Sequence, residues 1–406
     1  MVVATLAGRL GIEALAGRLV RLRRDRPGAA NAGRKVMALL FAMVLGADSI
    51  DDCDVLRAGR TGRLLGGWVP APSTLGTFLR AFTFGHVRQL DALLGRALER
   101  AWQAGAGPGE GRLVVDVDSF VGEVCGRLKQ GAAYGYTKLL GYHPILATRA
   151  DTREALHIRL RKGSANSQKG MLRFTEELIA RVNRAGAAGV KLLRADSGFW
   201  NTKVFTRLEQ AGWQYSIGVR MQKGIRAAIE AIPEEAWQPI DYPDEGEAQI
   251  AETTNGGRRL IVRRTRLLGA QAELWPDWRH FAFITNRSEE IVLVEAEHRE
   301  HAVVEQVIAD LKDQALAHFP SGQFNANGAW VVLAALAHNL LRWTQSLGLP
   351  GTTVRAARTL RRRLLGIPGR LTRHARGWTL HLPARWPWHH DYTSALRRIR
   401  ALPAPT

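Results

Sequence analysis

Leu113-Val114-Val115-Asp116-Val117-Asp118-Ser119-Phe120 is a short apolar run, rich in β-branched residues, with acids toward its end. That is the pattern of a buried strand. Side chains alternate across a strand, so Asp116 and Asp118 share one face while Val115 and Val117 share the other. Two carboxylates side by side in an apolar strand repel each other and resist desolvation, and a divalent cation is the usual remedy. The same residues also fit a strand-end turn in which Asp118 and Ser119 cap the next segment.

The segments that follow set an order. Residues 139–148 and 154–160 read as two more strands, and 169–185 as a helix with Leu172, Leu178, Ile179 and Val182 at helical spacing. Val190-Lys191-Leu192-Leu193-Arg194-Ala195-Asp196 is another apolar strand ending in an acid. A Ser197-Gly198 turn, a helix opening near Asn201 and a strand at 213–219 complete the run. The order β-β-β-α-β-α-β, with acids ending the first and fourth strands, is that of the RNase H-like fold. In that fold the two strands are neighbours and their carboxylates share a metal. A third acid is then expected on a late helix.

Residues 297–312 supply it. Val304, Val307, Ile308 and Leu311 form a buried stripe, and His298, His301, Glu305 and Lys312 fall on one face of a single helix. Asp116-x-Asp118-Ser119, Ala195-Asp196-Ser197-Gly198-Phe199-Trp200 and Glu305-x6-Lys312 together resemble the three acidic motifs of a DDE transposase. Over residues 30–390 the chain resembles the insertion-sequence 1380 family of bacterial elements. Related elements carry Tyr-x2-Arg-x3-Glu-x6-Lys around the third acid, and here His298 and His301 replace the Tyr and Arg.

The resemblance implies that Asp118, Asp196 and Glu305 hold two magnesium ions, with manganese as a substitute. It implies cleavage at the element ends by an activated water, then joining of the 3′-hydroxyl ends to target DNA. Lys312 is expected to contact a phosphate near the cut, and His298 and His301, a departure from the family pattern, are the further DNA-binding candidates on this helix. The Asp-x-Ser/Thr pattern favours Asp118 as the first acid, with Asp116 as the alternative. A metal-dependent nuclease without strand transfer and a non-catalytic DNA-binding transposase remnant are the competing functions.

Composition agrees with a nucleic-acid partner. The 406 residues carry a net charge of +20 and a pI near 10.9. Such an excess points to a polyanion, nucleic acid first and an anionic membrane surface second. Cys53 and Cys125 are the only cysteines, too few for a disulfide framework or a thiolate metal cage. No apolar run is long enough to span a bilayer, so a bacterial cytoplasmic, nucleoid-associated protein is expected.

Two further regions are basic. Strands at 248–252 and 258–267 flank an Asn255-Gly256-Gly257 hairpin signal. The second strand carries Arg258, Arg259, Arg263, Arg264 and Arg266, with Trp237, Trp275 and Trp278 around it. This reads as a nucleic-acid surface or as an ordinary solvated hairpin. From Leu341 onward there are thirteen arginines, no lysine and one acid, Asp391. A helix over 353–365 should present Arg361, Arg362 and Arg363 to phosphates, with Trp378, Trp386 and Trp388 interleaved.

The expected fold is α/β: an RNase H-like catalytic core interrupted by a β-strand insertion, with a helical N-terminal domain and a basic C-terminal region. The expected units are a helical DNA-binding or dimerisation domain at 1–108, core at 109–222, a β-rich insertion at 223–288, core again at 289–345 and an Arg-rich DNA-binding region at 346–406. Two DNA ends must be handled together, so a homodimer or higher oligomer on double-stranded DNA is expected.

Overall fold

The computed structural model describes residues 1–23, 25–135, 137–241, 246–267, 278–351, 353–374 and 377–403. Strand β1 (Leu113–Ser119) runs through the middle of the molecule. Val115, Val117 and Asp116 are all fully buried, so both faces of the strand are covered. Three short strands follow, β2 (Gly122–Glu123), β3 (Ala133–Tyr134) and β4 (Leu140–Tyr142), paired in the order β2-β4-β3. The expected strand at 139–148 is therefore two strands. Its second half is β5 (Ile145–Arg149), and Pro144 at the junction has no N–H to extend a ladder.

The remaining strands are β6 (Ala155–Arg159), β7 (Lys191–Ala195), β8 (Gln214–Gly218), β9 (Gln238–Ile240), β10 (Gly246–Asn255), β11 (Arg258–Leu267) and β12 (Arg279–Thr285). One nine-stranded sheet takes the order β6-β5-β1-β7-β8-β12-β11-β10-β9. Strands β1, β7 and β8 run parallel, and every other neighbouring pair is antiparallel. The strands at 238–285 thus extend the main sheet, joined through β12 to β8 with Ile284 opposite Ile217.

Five α-helices of eight residues or more precede the sheet: Val2–Arg9, Ile12–Leu19, Ala32–Leu45, Pro72–Arg80 and Phe84–Ala101. The first two bury Val2, Leu6, Ile12 and Leu15, so both helices pack onto the body. Leu75, Phe78, Leu79 and Phe82, spaced along one side of Pro72–Arg80 and just beyond it, are all buried. These helices share one continuous core with the sheet.

The joining element is the helix Phe324–Gly348, buried along most of its length. It packs against Ala32–Leu45, Phe84–Ala101 and β6, and a helix covered on all sides must be apolar all round. Its Asn339 meets Ala155 of the edge strand β6. The Ala155 N–H donates to Asn339 Oδ1 at 2.7 Å and Asn339 Nδ2 donates to the Ala155 carbonyl at 2.8 Å. A side chain thereby completes the backbone pairing that an edge strand lacks.

The late helix differs from expectation. It is Ile291–Arg299, a tight turn Glu300–Ala302, then Val303–Lys312. The turn rotates the second helix relative to the first, so a single periodicity does not run through 298–312. Near the C-terminus, the helix expected at 353–365 is a short helix Ala357–Leu360 followed by a wide turn Arg361–Leu365. A hairpin of β13 (Arg370–His374) and β14 (Gly377–His381) and the helix His389–Ala401 end the chain. Among the described residues no helix is long and apolar enough to cross a membrane.

Candidate active site

Parallel pairing of β1 with β7 fixes the site. Val117 lies opposite Ala195, so the next residue of each strand, Asp118 and Asp196, sits at the same end of two adjacent strands. Asp118 is half-buried and accepts the Ser119 N–H at 2.6 Å. Asp196 is exposed and accepts the Gly198 N–H at 2.9 Å, capping the turn Ser197–Phe199. Residue 198 has to be glycine, because a Cβ there would lie 2.9 Å from Ser167 and 3.0 Å from Asp196 Oδ1.

Glu305 stands in the first turn of Val303–Lys312, which packs across β1. It is exposed and makes no hydrogen bond or ion pair within the described residues. Burial pushes the Asp118 carboxyl up to about 6, against the Ser119 N–H; the charges of Asp196 and Glu305 push the same way, and His301 opposes them. Asp196 and Glu305 are thus both within electrostatic reach of Asp118. Lys312, about two turns further along the same helix, is exposed with Nζ 5.5 Å from the centre of the Phe120 ring.

Asp116 has a different setting. It lies one pleat deeper, fully buried, and Arg194 grips it with two hydrogen bonds: Nε to Oδ1 at 2.7 Å and Nη2 to Oδ2 at 2.9 Å. His301 Nδ1 is 3.1 Å from the same Oδ1. Asp116 is neutralised internally and is not presented at the mouth, which separates it from Asp118. Arg194 also donates to the carbonyls of Glu297 and Glu300, where the Ile291–Arg299 helix breaks.

The two histidines expected to meet DNA point inward. His298 stacks on Phe283 with ring centres 4.1 Å apart, and its Nδ1 is 2.8 Å from Ser216 Oγ. Burial, with the charges of His301, Arg194 and Arg263, pushes His298 down to about 3, so it is neutral. His301 is engaged with Asp116. The break at Glu300–Ala302 is the physical reason, since it turns 298 and 301 to the sheet while Glu305 and Lys312 stay outward.

The hairpin arginines are also engaged internally, contrary to the expected DNA-facing row. Arg258 pairs with Glu209 at 3.0 Å, Arg259 with Glu252, Arg263 with Glu295 at 3.1 Å and Arg264 with Glu234 at 2.6 Å. Arg264 is sandwiched between Trp237 and Trp278, 4.2 and 4.5 Å from the ring centres. Trp275 lies outside the described residues. Arg361 is tied to Gln314 and Asp313, and Arg363 lies 3.9 Å from Asp391. Arg362 alone of the three faces outward, 5.2 Å from the Trp388 ring centre.

One structural part of the mouth was not read from the sequence. Buried Arg161 donates to the carbonyls of Asn166, Ser167 and Lys169 and to that of His143, shaping the loop at 162–170. Ser167 Oγ then lies 3.5 Å from Ser119 Oγ, and Gln168 donates to the Trp200 carbonyl at 2.6 Å. The available signal was Gly163-Ser164-Ala165-Asn166-Ser167, a small polar run between strand and helix.

A second acid–histidine group lies elsewhere. Donor atoms of Asp91, His157 and Glu177 fall within 4.8 Å of one another. Arg181 and Arg88 pair with Asp91, and Arg88, Arg159 and Arg173 with Glu177. Burial opposes ionisation here, yet Arg181 and His157 hold Asp91 well below the usual carboxylate range, and His157 and Arg159 hold Glu177 at about 2. These carboxylates already have cationic partners, unlike the acids at the strand ends.

A mixed α/β protein with paired acids at the ends of adjacent parallel strands is the class defined by these features. The chain matches the model of the family described as transposase DDE domain group 1 over residues 1–404, and it belongs to that family. Among solved structures it is similar to the piggyBac transposase in a synaptic complex with hairpin DNA. That likeness has 12% identity and a TM-score of 0.49, covering 97% of this chain and 78% of that one. No curated protein sequence matches it.

Proposed function

We propose that the protein cuts DNA at the ends of a mobile element and joins the freed 3′-hydroxyl ends to target DNA, using Asp118, Asp196 and Glu305. The observation that carries the reading is the β1–β7 register, which sets Asp118 beside Asp196 with Glu305 within electrostatic reach. The strand order β6-β5-β1-β7-β8 and its parallel centre support an RNase H-like core.

The donor chemistry fits divalent magnesium: Asp118, Asp196 and Glu305 offer only carboxylate oxygens, and no side-chain cation is paired with Glu305 or Asp196 within the described residues. Asp118, Asp196 and Glu305 would hold the ions. Bound there, divalent ions supply an activated water and neutralise charge on the departing oxygen. The protein's own groups do the positioning. Ser119 N–H fixes one Asp118 oxygen, Gly198 N–H fixes Asp196, and Lys312 beside Phe120 offers a cation to a phosphate near the cut. Double-stranded DNA is the partner, with two copies of the chain bringing two ends together.

The test is cleavage of a labelled duplex carrying the end of the encoding element, with magnesium. Wild type nicks at the end junction; Asp118→Asn, Asp196→Asn and Glu305→Gln each lose at least ~10²-fold in rate while still binding DNA. Binding without cleavage by wild type in magnesium or manganese refutes the catalytic reading. Cleavage without joining of pre-cut ends reduces it to a nuclease.

A further inference from the structure

Trp378 lies on β14, directly across from Arg373 on β13, and is 38% exposed. Three guanidinium groups gather around its ring. Arg63 lies 5.2 Å from the ring centre, Arg373 5.9 Å and Arg60 6.0 Å. Arg60 also donates to the Leu371 carbonyl at 3.1 Å, so residues 60–63 and the C-terminal hairpin meet at one surface. All three arginines are exposed.

What sets this cluster apart is its charge balance. Most other arginines stacked on an aromatic ring in this protein have a carboxylate as well: Arg258 on Phe205 has Glu209, Arg263 on Phe281 has Glu295, and Arg264 on Trp237 has Glu234, while Arg362 on Trp388 is a lone exception among the described residues. At Trp378 none of the three arginines has a carboxylate partner among the described residues. On the hairpin side the sequence leaves none to recruit locally, since residues 314–390 contain no acid, and on the other side Asp54 is paired with Arg57. A ring attracts a cation without cancelling its charge. Trp378 therefore holds three like charges together, an arrangement that is electrostatically favourable only with an anion in place. Forked guanidinium donors suit phosphate.

We propose that Arg60, Arg63 and Arg373, held by Trp378, form a phosphate clamp for duplex DNA, a surface made jointly by the N-terminal helical segment and the C-terminal hairpin. The identity of the polyanion rests on the DNA-processing reading above. The clamp contacts backbone and not bases, so it binds without sequence preference.

The test uses the full chain and a labelled duplex of arbitrary sequence, with affinity followed from about 50 to about 200 mM salt. Arg63→Ala/Arg373→Ala lowers the slope of log K against log salt by about 2, since each phosphate contact contributes about 0.9. Trp378→Ala weakens binding although formal charge is unchanged, and Trp378→Phe restores most of it. Arg184→Ala, removing an exposed arginine elsewhere, leaves the slope as in wild type. A wild-type slope in the double arginine variant overturns the clamp, and exposed Arg63 and Arg373 can be changed without touching the core. Equal weakening toward a polyglutamate peptide also overturns it, by assigning the surface to acidic proteins. The two readings fail separately. A normal slope with cleavage still dependent on Glu305 removes the clamp alone. A lowered slope in a protein that never cleaves supports the clamp and removes the catalytic reading alone.

Discussion

Arg194 and Asp116 form a fully buried two-point ion pair between β7 and β1, and the same guanidinium reaches the helix break that precedes Glu305. The pair therefore links the strand carrying the first acid, the strand carrying the second and the helix carrying the third. It acts on geometry, behind the acids.

Arg194→Met strands a buried carboxylate and costs about 3–5 kcal/mol of stability. Asp116→Leu in the same chain recovers most of that loss, because an apolar pair replaces an ionic one. Cleavage does not recover, since the carbonyls of Glu297 and Glu300 still lack their donor. Urea denaturation and the cleavage assay check the two halves. Full activity in the double variant would refute the positioning role.

Asp118 gives a pH signature. Its carboxyl titrates near 3.8 when unperturbed and is pushed up to about 6 in the folded protein. Between those values the unfolded chain has lost a proton that the folded one keeps, so stability falls as pH rises through the window. After allowance for screening at a half-exposed group, the penalty above pH 6 is about 1–2 kcal/mol. Asp118→Asn is therefore more stable than wild type at about pH 7 and equal to it at about pH 3.5. Magnesium stabilises wild type and narrows the gap. Parallel stability curves for the two proteins across that range would contradict this account.

Gly198 is a steric requirement. Gly198→Ala drives a methyl group against Ser167 and the Asp196 carboxylate, and displacement by about 1 Å costs on the order of 10²-fold in rate. Ser167→Gly in the same chain relieves half the clash and restores part of the rate. Single-turnover cleavage reads both changes, and no effect of the first would show that Asp196 needs no fixed orientation.

The hairpin arginines serve stability. Arg264→Ala removes a guanidinium held by Glu234 and by two tryptophans, at a cost of about 1–3 kcal/mol. The salt slope of DNA binding stays as in wild type. A slope lower by about 1 would instead make Arg264 a phosphate contact.

The sequence carries these features unequally. The alternation in 113–119 and the acid ending 190–196 are local signals, and both strands formed where expected. That Asp116 and Asp118 differ in setting is not local, because it depends on Arg194, which lies on another strand. Glu209, Glu234, Glu252 and Glu295, the partners of the hairpin arginines, are likewise scattered through the chain, so a basic strand looked solvent-facing when it is internally neutralised. The inward packing of His298 and His301 is not legible because periodicity assumes an unbroken helix, and nothing in Glu300-His301-Ala302 announces the turn.

The helix Phe324–Gly348 has a consequence for how the protein is made. During synthesis all three acids leave the ribosome before it does, yet it is the element on which the N-terminal helices and the edge of the sheet are assembled. Until it arrives, the nascent chain holds Asp118, Asp196 and Glu305 without the helix that the edge strand β6 packs against. An internally deleted copy that keeps every acid but lacks this helix loses the element against which the N-terminal helices and β6 pack.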